Sequence, residues 1–161
     1  MKKRLGINID HVATVRNARG SLHPDPLTIA KQAMECKADS ITIHLREDRR
    51  HIRDLDVVKI CNNENIPTNL EISLNNEIFK IALKNKPNFI CIVPENRKEI
   101  TTEGGLNLSK NINKIKNFIS TFKKKNIRTS LFIDPSLKDV KIAKELNADC
   151  IELHTGRISD L

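Results

Sequence analysis

The chain has 161 residues, enough for one domain with a real core. Its formal charge is +8, yet it holds no Trp, no Tyr and only five Phe. Base-stacking platforms are therefore missing, and lysines scattered over solvated helix faces account for the charge, which argues against nucleic acid as a partner. No run is apolar enough for a secretory signal or a membrane span, and the four cysteines lack CxxC spacing. These features predict reduced core cysteines in a cytoplasmic protein without a membrane partner.

In chain order, a first strand starts near Leu5 and closes on Asn8 and Asp10. A loop runs on to Gly20, and a helix is expected over 26–36, with Asp25 as its N-cap and Pro26 at the first helical position. The second strand begins near Ser40 and closes on His44 and Arg46, and a second loop continues to Ile52. Helices over 55–65 and 76–85 flank a third strand that starts near Thr68 and carries Asn69 and Glu71. The fourth strand, from near Asn88, runs into Pro94 and Glu95. Leu108, Ile112, Ile115 and Ile119 recur at helical spacing within 108–125. The fifth strand runs from Arg128 to Asp134, and Ser136 opens a helix over 136–146. The sixth starts at Cys150 and carries Glu152 and His154. Lys37 and Asn147 fall where two helices end and a left-handed residue is needed; Asn tolerates that conformation, while Lys costs about 1 kcal/mol.

Strands alternating with one-sided helices predict an α/β fold with a parallel sheet and outer helices. Along a strand, residues i and i+2 share a face, so each polar pair at a strand tip points one way. Apolar strands with polar C-terminal tips fit the TIM (β/α)₈-barrel class, here with about six βα units in a single domain over 1–161.

Six of the ten arginines (Arg16, Arg19, Arg46, Arg49, Arg50 and Arg53) crowd the two loops after the first two strands. That clustering points to a small anionic substrate. His11, His44, His51 and His154 collect at strand tips with carboxylates, which favours acid/base work; HxH and HExxH spacings are absent, so no metal is expected. Glu71 is the sharpest candidate. Inside an apolar strand its carboxylate would be desolvated, raising its pKa toward that of a general base. The alternative is a Glu on the helix-facing or exposed side paired with a Lys, and Glu152 has the same ambiguity. Thr101-Thr102-Glu103-Gly104-Gly105 reads as a lid.

The segments Gly6 to His11, Arg16 to Gly20, His44 to Ile52 and Asn69-Leu70-Glu71 resemble the pyridoxine 5′-phosphate synthase family. So do Val93-Pro94-Glu95, Thr101 to Gly105, Ser130 to Asp134 and Glu152 to Gly156, so the likeness runs through the whole chain in order. It implies a barrel enzyme, assembled as an octamer, that condenses 1-deoxy-D-xylulose 5-phosphate with 3-amino-2-oxopropyl phosphate without a cofactor. By that resemblance His44 and Glu71 are proton acceptors and Glu152 stabilises a transition state. Asn8 and Arg19 match contacts to the amino ketone phosphate. Asp10, His11, Arg46, His51 and Thr101 match contacts to the deoxyxylulose phosphate.

The family has two further strands, which carry a proton-donor histidine in a Gly-His-Gly turn and a second Gly-His pair. The resemblance therefore implies a C-terminally incomplete barrel, either a fragment or a genuine short product. Such a chain is expected to show an uncovered apolar interior and little activity alone. A different class of function, a phosphate-ligand-binding or subunit-joining module without turnover, stays open beside the synthase. An RNA-binding basic protein is the third class.

Overall fold

The computed structural model describes residues 3–95 and 104–156. Its elements follow one another as β1 (Gly6–Asn8), α1 (Asp10–Ala18), α2 (Pro26–Glu35), β2 (Ser40–His44), α3 (Asp54–Cys61) and β3 (Thr68–Ile72). Then come α4 (Asn76–Asn85), β4 (Phe89–Ile92), α5 (Leu108–Lys123), β5 (Arg128–Ile133), α6 (Leu137–Glu145) and β6 (Cys150–Leu153). The strands form one parallel sheet in sequence order. Gly6 of β1 and Glu152 of β6 stand at opposite ends of that order, yet both line one cavity of about 650 Å³. The sheet is therefore curled into a partial barrel with its helices outside, the α/β architecture the sequence predicts.

Local chemistry explains the boundaries. Asp25 accepts the Thr28 amide at 3.0 Å with Pro26 behind it, and Asn75, Asn107 and Ser136 cap α4, α5 and α6 with their own side-chain oxygens. Each such cap is worth about 1 kcal/mol. Lys37 and Asn147 adopt φ of 71° and 62°, the left-handed turns expected of them. One element differs from expectation: Asp10–Ala18 is helix α1, where the sequence reading has a loop. Its polar residues, among them Asp10, Thr14, Arg16 and Asn17, hide the amphipathic pattern, since Asp10 and Arg16 are buried by partners distant in sequence.

The core lies between sheet and helices. Ile41, Ile43, Leu70, Ile72, Ile90, Ile92, Leu131 and Ile133 are fully buried there, and Phe79 stacks on Phe118 with ring centroids 4.0 Å apart. Each buried side chain of this size contributes roughly 1.5–3 kcal/mol. The alternate residues face the concave side. Asn8, Thr42, Asn69, Phe89 and Arg128 form one row across it, and His44, Glu71, Cys91, Ser130 and Cys150 the next. Period-2 alternation mixes polar side chains with Phe89, Cys91 and Cys150 on the concave face, so the expected apolar interior is met only in part. The cysteines need a second correction: all four are free, but only Cys91 is buried, while Cys36 and Cys150 are exposed.

Candidate active site

His44, at the C-terminal tip of β2, is fixed from its backbone outward. Its amide donates to Asp10 Oδ1 at 2.7 Å. Asp10 is held in turn by Asn8, whose Oδ1 accepts the Asp10 amide at 2.9 Å and whose Nδ2 donates to Asp10 Oδ2 at 3.0 Å. The pair spaced two apart at the end of β1 therefore works as a clamp on β2. Strand register sets Glu71 opposite His44, with Oε2 3.8 Å from Nδ1. Glu71 thus faces the concave side, and the helix-facing alternative falls away.

Burial drives the Glu71 carboxyl up to about 7, with the Glu152 and Asp10 charges pushing the same way and His44 opposing them. Its side chain is 15% exposed and that of His44 7%. A carboxyl that titrates near neutrality beside an imidazole can both take and return a proton at working pH.

The other edge of the His44 ring meets a group to which the sequence reading gave no role. Glu95, just past β4, has a side chain only 1% exposed, with Oε2 3.7 Å from His44 Nε2. Its Oε1 accepts the Glu47 amide at 2.9 Å and lies 3.8 Å from Arg46 Nε. Burial alone would raise this carboxyl, but His44, the Glu47 amide and Arg46 outweigh it and hold Glu95 below the ordinary range. The available signal was a carboxylate at a strand tip after Pro94.

Around this centre, His51 Nδ1 sits 2.6 Å from Thr14 Oγ1, and the His51 and His11 rings are 6.0 Å apart. Burial lowers the His51 pKa, with Asp10 opposing and the Arg46, His11 and Arg50 charges reinforcing. Asn17 Nδ2 donates to the Arg50 and His51 carbonyls at 3.0 and 2.8 Å, which ties α1 to the second loop. Asn8, Asp10, His11, His44, Arg46 and His51 are thereby gathered on the β1–β2 side. Arg19 is exposed at the end of α1.

The arginine cluster divides once partners are visible. Arg16 makes a buried bidentate pair with Asp56, at 2.6 and 2.9 Å, and Asp56 also accepts the Arg53 amide. Arg49 pairs with Asp54 and Glu77, and Arg50 with Asp48. Arg16, Arg49 and Arg50 are therefore structural braces for the loops, which corrects the reading of all six as anion binders. Two of these carboxylates, Asp56 and Glu77, lie 40 and 28 residues away, where spacing could not reveal them.

On the opposite side, Glu152 is half-buried on the concave face beside Phe132 in register. His154 Nδ1 lies 3.5 Å from Asp134 Oδ1, which also accepts the Gly105 amide at 3.0 Å. A Cβ at Gly105 would lie 2.1 Å from the Asp134 amide nitrogen, so only glycine allows this loop its close return onto β5. Thr101, Thr102 and Glu103 lie outside the described residues.

Among the described residues, Asp10, His44 and Glu71 offer ligand atoms within 4.8 Å of one another. Both Asp10 oxygens already accept hydrogen bonds, and Glu71 is half-protonated near neutrality. That donor set fits proton traffic better than a dication. No described helix is long and apolar enough to cross a membrane.

Comparisons with known proteins follow the same outline. Residues 5–161 match the family model described as pyridoxal phosphate biosynthesis protein PdxJ. The chain is 77% identical over 159 residues to a pyridoxine 5′-phosphate synthase of Pelagibacter ubique, covering 99% of this chain and 66% of that protein. It is 49% identical over 157 residues to the synthase of Zymomonas mobilis, covering 98% of this chain and 61% of the relative. The chain thus spans somewhat less than two thirds of the length of these curated relatives. Among solved structures, an L-ribulose 3-epimerase superposes with a TM-score of 0.57 at 10% identity, covering 95% of this chain and 60% of the other, which is a likeness of fold alone.

Proposed function

We propose that this chain, which belongs to the PdxJ pyridoxal phosphate biosynthesis family, carries the proton-transfer centre of a pyridoxine 5′-phosphate synthase. The reaction is the condensation of 1-deoxy-D-xylulose 5-phosphate with 3-amino-2-oxopropyl phosphate, releasing phosphate and water. The observation that carries this reading is the buried Glu71–His44 pair at 3.8 Å, with the Glu71 carboxyl raised to about 7.

Joining an amine to a ketone and closing an aromatic ring requires protons to be removed from carbon and nitrogen and delivered to departing oxygens. Glu71 takes protons from the reacting carbons in its ionised form, and His44 exchanges them with it. Glu152, reaching the same concave face from β6, stabilises the charge that develops on the condensing amine. Asp10, His11, Arg46, His51 and Thr101 hold the deoxyxylulose phosphate. Asn8 and Arg19 hold the amino ketone phosphate. Arg19 is the exposed cation of the first loop, which suits a charge that meets its phosphate from solvent. The reading carries with it a single barrel domain, an octameric assembly and a cytoplasmic location, all as the family resemblance implies.

The test is product formation from the two phosphorylated substrates by the purified protein. Pyridoxine 5′-phosphate and inorganic phosphate released in equal amounts are the expected result. Saturable binding of both substrates with no product would contradict the reading and favour a binding module.

A further inference from the structure

We infer that Glu95 is a positioning residue for His44: it accepts the Nε2 proton and so holds the imidazole with bare Nδ1 turned to Glu71. The inference rests on the synthase reading for its kinetic consequence but on geometry for the residue itself.

His44 lies between two carboxylates, with Glu71 Oε2 3.8 Å from Nδ1 and Glu95 Oε2 3.7 Å from Nε2. Among the described residues, His44 Nε2 and Glu95 Oε2 are both buried and have no hydrogen-bond partner, and each is the group the other faces. Leaving a buried donor or acceptor unmatched costs roughly 1–3 kcal/mol, so the pair has reason to close. Both separations exceed hydrogen-bond length, as catalytic contacts often do before substrate arrives.

Glu95 cannot swing away to make another choice. Its Oε1 is anchored on the Glu47 amide at 2.9 Å, and Glu47 Oε1 accepts from Ser73 Oγ at 2.9 Å, which ties the loop after β2 to the end of β3. The other charged groups near the ring are Asp10, which accepts the His44 amide, and Arg46, 3.8 Å from Glu95 Oε1. Arg46 favours an ionised Glu95, and only an ionised carboxylate accepts without offering a proton of its own. The two carboxylates are displaced in opposite directions, Glu71 upward and Glu95 downward, the separation that distinguishes a proton-exchanging group from a fixed counter-charge.

The proton movement balances. Glu71, once protonated by substrate, passes that proton to His44 Nδ1 and becomes a carboxylate again. The resulting imidazolium keeps its Nε2–H on Glu95, whose negative charge offsets the new positive one. The imidazolium then gives its Nδ1 proton to the oxygen that departs as water, so Glu95 is never protonated and both Glu71 and His44 are ready for the next abstraction.

The experiment is histidine ¹⁵N NMR of the full-length protein, with His44 assigned by comparison with His44→Asn, alongside steady-state kinetics of Glu95→Gln. In the unmodified protein His44 is expected as the Nε2–H tautomer; an Nδ1–H tautomer overturns the inference, and this arm needs no variant at position 95 to fold. In Glu95→Gln, whose amide can donate to Nε2, the tautomer should shift. Its kcat should fall roughly tenfold to a thousandfold with each KM within about twofold. Unchanged kcat together with an unchanged tautomer overturns it as well. Absence of product from the unmodified protein would refute the synthase reading while the NMR result still decides the role of Glu95.

Discussion

Two sides of the concave rim each hold a histidine beside a carboxylate, in different surroundings. On the β2–β4 side His44 and Glu71 are 3.8 Å apart with side chains 7% and 15% exposed. On the β5–β6 side His154 and Asp134 are 3.5 Å apart, but the carboxylate is 49% exposed. The shorter pair is not the better base. Burial, with strands packed on both sides of β3, pushes Glu71 to about 7, whereas the β6 side leaves Ile151 and Leu153 at 37% and 45% exposure. A histidine beside a carboxylate becomes an acid/base centre through desolvation and anchoring, and proximity alone does not supply either.

The largest effect that would break this comparison is kinetic. In the full-length protein Glu71→Gln should lower kcat roughly 10²–10⁴-fold with substrate binding largely kept, the range of a lost general base. Asp134→Asn, the same change on the other side, should cost far less. Comparable losses in both variants would remove the distinction, and near-normal turnover in the first would remove Glu71 from the mechanism.

Packing gives the next effect. Ile43, fully buried within β2, should lose about 2–5 kcal/mol on truncation to Ala. Leu153, already 45% exposed, should lose under about 1 kcal/mol in urea unfolding. Equal losses would mean that the β6 side is as well packed as the β2 side.

A third effect links pH to stability. The Glu71 carboxyl is raised from 4.5 to about 7, so it binds its proton more tightly folded than unfolded. The resulting stability is fully present below about pH 4.5 and is lost as pH climbs through about 7, an amount on the order of 3 kcal/mol. Glu71→Gln should therefore be more stable than the parent at pH 8 and nearly equal to it at pH 4, in matched unfolding curves.

Much of this was legible in the chain. The βα alternation, the caps at Asp25 and Ser136, and the left-handed Lys37 and Asn147 are local signals, and they read correctly. His44 and Glu71 stood out because polar residues at the ends of apolar strands have few structural uses. What escaped depends on distant partners. Helix α1 was hidden because buried Asp10 and Arg16 are satisfied by the His44 amide and by Asp56, 34 and 40 residues away. The brace Arg49 looked like a phosphate ligand until Glu77, 28 residues away, closed on it. Glu95 was read as a strand tip within a family-like segment but given no role, since its partner is set by the order of strands in the sheet. Thr101, expected from the same loop, lies outside the described residues.

The central claim, that burial turns Glu71 into the working base, is tested most directly by following its carboxyl ¹³C resonance against pH. The account predicts a midpoint of about 7. A midpoint near the ordinary 4.5 would contradict it, because Glu71 would then be a solvated carboxylate like any other at the rim.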